Sequence, residues 1–334
     1  MFGPQHLRHV IRYFDGIDGA LSQRMLREHP PDEPALTNEL CALLDAETQR
    51  IEGRLTYGLD QLNLDLAAVG DGLDFEVTID TYPHNTAMER YVSQSDFGLV
   101  LEYDNKVLPS ESWLAAYLVQ AKRAFRDSRS GEYDQKSRFE AINAEQSARL
   151  KRLADLLGPS ALRYALYCPP TPALSEPVRT QVRALHTRNL AEDIYDYGPG
   201  LALRDTLVAN GGVDAGIWFH AIDRPPSGLL RLHEEAFRLA RPLTWFLVEH
   251  FTPFRGPHAR GIGRTHGPEH DHQRVRRIVT GEARAVRELI DELVRVGEDR
   301  EAPTTITMLP RHTITIKVTV GRALSPDVAR AQFD

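Results

Sequence analysis

Ser95-Asp96-Phe97-Gly98-Leu99-Val100-Leu101 is followed about twenty residues on by Ala116-Tyr117-Leu118-Val119-Gln120-Ala121-Lys122. Each run has the apolar density of a buried strand, and each carries polar groups where such a strand needs none: an acid at the head of the first, a Gln-x-Lys pair at the tail of the second. The polar connection Tyr103 to Ser112 is compatible with a hairpin, which sets the acid near the Gln-x-Lys end.

Working outward, Phe75, Val77 and Ile79 alternate with Glu76, Thr78 and Asp80, the period of a half-exposed strand. The breaker run His29-Pro30-Pro31-Asp32-Glu33-Pro34 predicts a helix start, and Leu36, Leu40, Leu43 and Leu44 carry that helix over about 36–54; a short helix over 6–14 precedes it. Downstream, a helix is expected over 134–157, stopped by Gly158-Pro159, then a strand from Leu162 to Cys168. Helix, three adjacent strands, helix, strand is an α/β sandwich whose crossover is right-handed. Pro169 to Pro177 reads as a boundary, giving an N-terminal unit over 1–170 and a C-terminal α/β extension over 171–334. In that extension the pattern predicts helices near 177–192, 228–240 and 272–296. Strands are expected at Gly216–Ala221, at Leu243–Glu249, and in the alternating tail Thr313 to Val320, which could pair with Thr304–Met308.

The 334 residues carry a net charge of −7, which excludes a general coat of positive potential but not a local basic groove. There is no apolar N-terminal leader pattern and no run long enough to span a bilayer, so a cytoplasmic location and no membrane partner are expected. Cys41 and Cys168 are read as small core residues in a reducing compartment. Of 40 basic residues only Lys106, Lys122, Lys136, Lys151 and Lys317 are lysines. Where arginine is the default, a lysine closing an apolar strand stands out, because its ammonium is a compact point charge able to orient a water or touch a phosphate.

Those residues suit phosphodiester hydrolysis, in which a hard cation held by few oxygen ligands does most of the electrostatic work. Asp96 offers a carboxylate, and Gly98 on the same face leaves room for metal and phosphate. Gln120 offers an amide oxygen, Ala121 its main-chain carbonyl, and Lys122 a charge for the attacking water or the transition state. The bland alternatives are a turn acid and a strand end emerging into solvent.

The pattern resembles the PD-(D/E)xK nuclease superfamily in its Gln-x-Lys variant. The resemblance runs over residues 30–170 through Asp32-Glu33, Glu39, Glu89, Ser95-Asp96-Phe97, Val119-Gln120-Ala121-Lys122-Arg123, Gln146 and Arg163-Tyr164-Ala165-Leu166-Tyr167, and it looks like bacterial anti-phage defence proteins. It implies a restriction-endonuclease-like core and cleavage of DNA, or alternatively RNA, with Mg²⁺ or Mn²⁺. It also implies Asp96 and Gln120 on the metal, Lys122 at the nucleophile, and Glu89 or Glu39 as an additional acid. The departure is Gln120 itself, which brings one negative charge fewer and makes a further carboxylate necessary. A catalytically silent nuclease fold acting as a binding or assembly module is the alternative of a different class. A homodimer or a defence-system partner protein is compatible with either.

Elsewhere, His258, His266, His270 and His272 crowd one segment with Glu269 and Asp271, but their spacing lacks the register of common zinc sites. Arg255, Arg260, Arg264, Arg274, Arg276 and Arg277 could follow a phosphate backbone or simply be solvated. Trp218 and Trp245 are read as core. No Walker loop, dinucleotide fingerprint or Gly-x-Ser-x-Gly elbow is present.

Overall fold

A computed structural model describes residues 2–83, 96–141, 144–192, 199–209, 213–221, 225–252, 271–296 and 312–323. It is an α/β structure with a mixed open sheet flanked by helices on both faces. In chain order the helices are α1 (Pro4–Ser22), α2 (Glu33–Leu44), α3 (Ala46–Glu52), α4 (Leu59–Ala67), α5 (Ala144–Leu157), α6 (Glu176–Glu192), α7 (Pro199–Ala209), α8 (Leu229–Glu235), α9 (Leu243–Phe251), α10 (His272–Val279) and α11 (Ala283–Val296). The strands are β1 (Leu73–Pro83), β2 (Phe97–Asn105), β3 (Trp113–Phe125), β4 (Arg138–Phe139), β5 (Leu162–Tyr167), β6 (Ile217–His220), β7 (Ala240–Pro242) and β8 (His312–Arg322).

The strand order is β1-β8-β2-β3-β5-β6-β7, with β4 alongside the end of β3. The expected hairpin is present: β2 and β3 are antiparallel, with Phe97 opposite Val119. β5 joins β3 in parallel, as a crossover through α5 requires. The first strand, however, does not touch β2. The alternating tail, β8, lies between them, antiparallel to β1 and parallel to β2. Since β6, β7 and β8 all belong to this sheet, the division at residue 170 does not coincide with a division of the sheet. Thr304–Met308 lies outside the described residues.

Alternation assigns each strand residue to a face. Leu99, Leu101, Tyr117 and Val119 pack in the larger core with residues of α1, α2, α4 and α9, whereas Val100, Ala116 and Leu118 pack with α5, α10 and α11. Gly98 belongs to the second face. A Cβ added there would lie 2.5 Å from the Cβ of Val279, so the missing side chain admits the last turn of α10, and the space reserved for phosphate is filled by protein. Thr313, beside Gly98 on β8, donates to the Val279 carbonyl at 2.5 Å and fixes that approach.

Several element boundaries depart from the sequence pattern for local reasons. The helix expected over 36–54 is broken at Asp45, whose carboxylate accepts from the Thr48 backbone N–H at 2.7 Å and caps α3. The helix expected over 272–296 is two helices, parted at Gly281, whose φ of 80° ends the first. The helix expected over 228–240 stops at Glu235, and Phe237, at φ 64°, turns the chain into β7. Only the part from Ala144 of the helix expected over 134–157 is helical, and β4 lies in the segment before it. Leu243–Glu249 is helix, not strand: an unbroken apolar run carries no period, and α9 is buried on nearly every side. Trp245 therefore sits on a helix, but it and Trp218 are fully buried, as the core reading required. Cys41 and Cys168 are both free and buried, and burial lifts both thiols, Cys41 to about 12. Among the described residues no helix is long and apolar enough to cross a membrane.

Candidate active site

β2 is shorter than β3, and this difference builds the site. The β2 register ends at Phe97 opposite Val119, and past it the N–H groups of Ala121 and Arg123 are met by side chains. Both side chains are carboxylates. Asp96 donates its own N–H to the Val119 carbonyl at 2.9 Å, and its Oδ2 accepts from the Ala121 N–H and from Gln120 Nε2, each at 2.6 Å. Glu33 Oε1 accepts from the Arg123 N–H at 3.2 Å. Two N–H groups two residues apart on a strand are about 7 Å apart, so the carboxylates are anchored along one edge with Lys122 between them in sequence.

Glu33 reaches this position because the breaker run is clamped to β3. Arg123 Nη1 donates to the Pro30 and Pro31 carbonyls at 2.9 and 3.1 Å, and its guanidinium lies over the Phe125 ring. Asp32 then caps α2 by accepting from the Ala35 N–H, and Glu33 is the first helical residue. From Glu33 the positions i+3, i+4 and i+7 are Leu36, Thr37 and Leu40, all buried, and Thr37 meets the Tyr167 hydroxyl of β5 at 3.0 Å. Glu33 thus lies on the inward stripe. Glu39 lies off that stripe and is held by two guanidiniums, Arg24 at 2.6 Å and Arg54 at 2.9 Å, which keep its carboxyl below the usual range despite partial burial.

Lys122 is buried, 6% exposed, with Nζ 3.9 Å from the Glu140 carboxylate. Burial raises the Glu33 carboxyl; the Arg123 N–H bond and the Lys122 ammonium oppose that rise, and the charge of Glu140 adds to it. Lys122 is thus a buried positive charge beside the exposed Glu140 and the half-buried Glu33. Hydrogen bonds join Asp96, Gln120 and Ala121, while Lys122, next along β3, has Glu140 and Glu33 as its charged neighbours. Glu33 was legible as the only acid of its helix on the leucine stripe; Glu140 carried no sequence signal. Glu89 and the side chain of Gln146 lie outside the described residues.

The donor set fits a hard cation. Among the described residues Gln120 Oε1 is buried with no hydrogen-bond partner, an orphaned acceptor on the amide that donates to Asp96, and Gln120 Nε2 lies 3.4 Å from the Ala121 carbonyl. Asp96, Gln120 Oε1 and the Ala121 carbonyl would hold Mg²⁺ or Mn²⁺, ions that take oxygen ligands and retain water. Among the described residues no three His, Cys, Asp or Glu side chains gather as a metal set.

Of the other sequence candidates, His258, His266, His270, Arg255, Arg260 and Arg264 lie outside the described residues. His272 opens α10 and its Nδ1 accepts from the Ala116 N–H at 3.1 Å, which pins the helix to β3. Arg274 pairs with Glu292 and Arg276 with Glu102, so these two guanidiniums serve the packing of α10. Compared with protein-family models, curated proteins and solved structures, the chain finds no match.

Proposed function

We propose that this chain is a metal-dependent nuclease with a restriction-endonuclease-like core, hydrolysing phosphodiester bonds in DNA, in a role such as defence against foreign DNA. The reading rests on one observation: where β2 ends against β3, Asp96 accepts from a Gln120 amide whose oxygen has no partner among the described residues, and the buried Lys122 and the Glu33-bound Arg123 N–H follow along β3. A bound Mg²⁺ or Mn²⁺ would neutralise charge on the scissile phosphate and acidify a water. The chain's own part is positional. Asp96 and Gln120 fix each other, the Ala121 N–H fixes Asp96, and Lys122 carries a positive charge toward phosphate oxygen or attacking water. Glu33, with its affinity for a proton raised by burial, supplies the carboxylate that replacing the second acid by Gln120 removes.

The test is incubation of purified protein with plasmid, linear DNA and RNA, with and without Mg²⁺ or Mn²⁺, beside Asp96→Ala, Lys122→Ala and Glu33→Gln. Metal-dependent cleavage lost in the first two variants supports the reading. Equal cleavage by wild type and both variants rejects the site. Cleavage of RNA alone would move the substrate class. A second reading, a silent nuclease fold serving as a binding module, is favoured by the structural use of both carboxylates: each satisfies a backbone N–H of β3 and would be kept without any chemistry. Binding of nucleic acid without cleavage under every metal condition would select it.

A further inference from the structure

Just past Lys122, the continuation of β3 is flanked by β4, with Phe125 opposite Arg138. Between this segment and the start of α8 lies a cleft of about 930 Å³. Its floor includes the buried Ser137 and Pro226, with Gly228 and Leu230 half-buried beside them, and its rim carries the exposed Arg138, Glu140, Ser227 and Arg231. The two walls are tied together: the Leu229 N–H donates to the Ser137 carbonyl at 3.0 Å, and Gly228 lies so close that a Cβ would stand 2.8 Å from that carbonyl oxygen. The cleft is therefore a fixed feature of the fold, and Gly228 is what allows its walls to meet.

Glu140 belongs both to this rim and to the surroundings of Lys122, so the cleft borders the candidate active site. The lining carries one guanidinium from each wall, Arg138 and Arg231, and two carboxylates, Glu140 and Glu234. Arg231 is oriented by Glu234 at 3.0 Å and Glu235 at 2.6 Å, and Arg138 stands exposed on β4. Arg138, on the wall opposite those pairs, suits a phosphate contact, and prolines with a leucine offer an apolar wall to base faces. The volume is at the upper end of what encloses a small ligand, so it suits a few unstacked nucleotides and excludes a duplex. We infer that this cleft holds a single-stranded stretch of the nucleic-acid substrate, with Arg138 as its principal phosphate contact. The inference rests on the nuclease reading and adds the substrate form and its path.

The test measures binding of fluorescent single-stranded and duplex oligonucleotides by anisotropy, in a chelator and again in Ca²⁺, so that it is independent of cleavage. It uses wild type, Arg138→Glu and Ser227→Cys. Since Cys41 and Cys168 are buried, the new thiol is the accessible one for capture by a thiol-bearing oligonucleotide. Expected are single-strand binding weakened about tenfold by Arg138→Glu, through loss and reversal of one phosphate contact, and disulfide capture at Ser227→Cys. Thermal unfolding of both variants should match wild type. Wild type that binds single strands, with Arg138→Glu unchanged and Ser227→Cys capturing nothing, overturns the cleft and leaves the nuclease reading standing. Wild type that binds duplex alone does the same. Wild type that binds neither form overturns the cleft, while cleavage assayed with Asp96→Ala decides the nuclease reading separately.

Discussion

Gly98 can be read two ways, as room left for a ligand or as room taken by α10, and Gly98→Ala separates them. The added Cβ would sit 2.5 Å from Val279 Cβ and 2.9 Å from its Cγ1, against a comfortable carbon–carbon separation of about 3.5–4 Å. Val279 is fully buried, so α10 must retreat by roughly 1 Å or more, at about 1–3 kcal/mol for overpacking. The retreat also stretches the Thr313 hydroxyl bond to the Val279 carbonyl, worth about 1 kcal/mol. Urea unfolding should therefore show a loss of about 2–4 kcal/mol. Val279→Ala gives little rescue because the closest atom is Cβ itself; Val279→Gly removes it. In a double-mutant cycle Gly98→Ala with Val279→Gly should cost about 1–2 kcal/mol less than the sum of the single changes. A Gly98→Ala protein that unfolds within about 0.5 kcal/mol of wild type yet loses metal-dependent cleavage would refute the packing argument and restore the ligand reading.

Three further outcomes are expected. Gln120→Glu sets a carboxylate against Asp96 Oδ2, where an amide now donates at 2.6 Å, so the metal-free protein should lose about 1–3 kcal/mol. Mg²⁺ or Mn²⁺ should restore it, and a melting temperature indifferent to metal would count against an oxygen-ligand site here. His186 Nε2 lies 3.1 Å from His233 Nδ1 among Trp218 and Phe237, and burial lowers the His186 pKa to about 4. Its stabilising contribution is present above the unfolded value of about 6.5 and is lost as pH falls from there toward 4, by about 3 kcal/mol in all. His186→Met should flatten the stability curve across that window, and a curve parallel to wild type would contradict this. Asp15, burdened by burial and bonded by the Thr244 hydroxyl, has its pKa raised to about 6. The fold thus favours its neutral form, an advantage present below about 4 and lost as pH rises to 6. Asp15→Asn should gain stability relative to wild type by about 1–3 kcal/mol between pH 4 and 7, and chemical denaturation at both pH values checks it.

The strand pair was legible because two apolar runs with polar ends have few places to go: alternation set their faces, and a short polar link set their pairing. The α2 entry was legible for the same local reason, a breaker run followed by a leucine stripe. What escaped was non-local. Nothing near Ile314 states that its strand slots between residues 73–83 and 97–105, since a clean alternation is satisfied by any half-covered sheet position. Gly98 looked empty because its occupant, Val279, lies far away in sequence. The nuclease resemblance points to Glu39 although helical spacing favours Glu33, and Glu140 enters only because β4 folds back beside β3. The α9 segment is equally compatible with a strand in sequence, because an all-apolar segment has no period to read.

The position of β8 has a consequence for synthesis. β2, which carries Asp96 at its head, has β8 as its neighbour on one side, so that edge stays open until residues 312–322 have left the ribosome. A nascent chain that has already made Asp96, Gln120 and Lys122 still lacks the strand that flanks β2. The sheet around that edge is thus completed late in synthesis, with the timing written into the strand order.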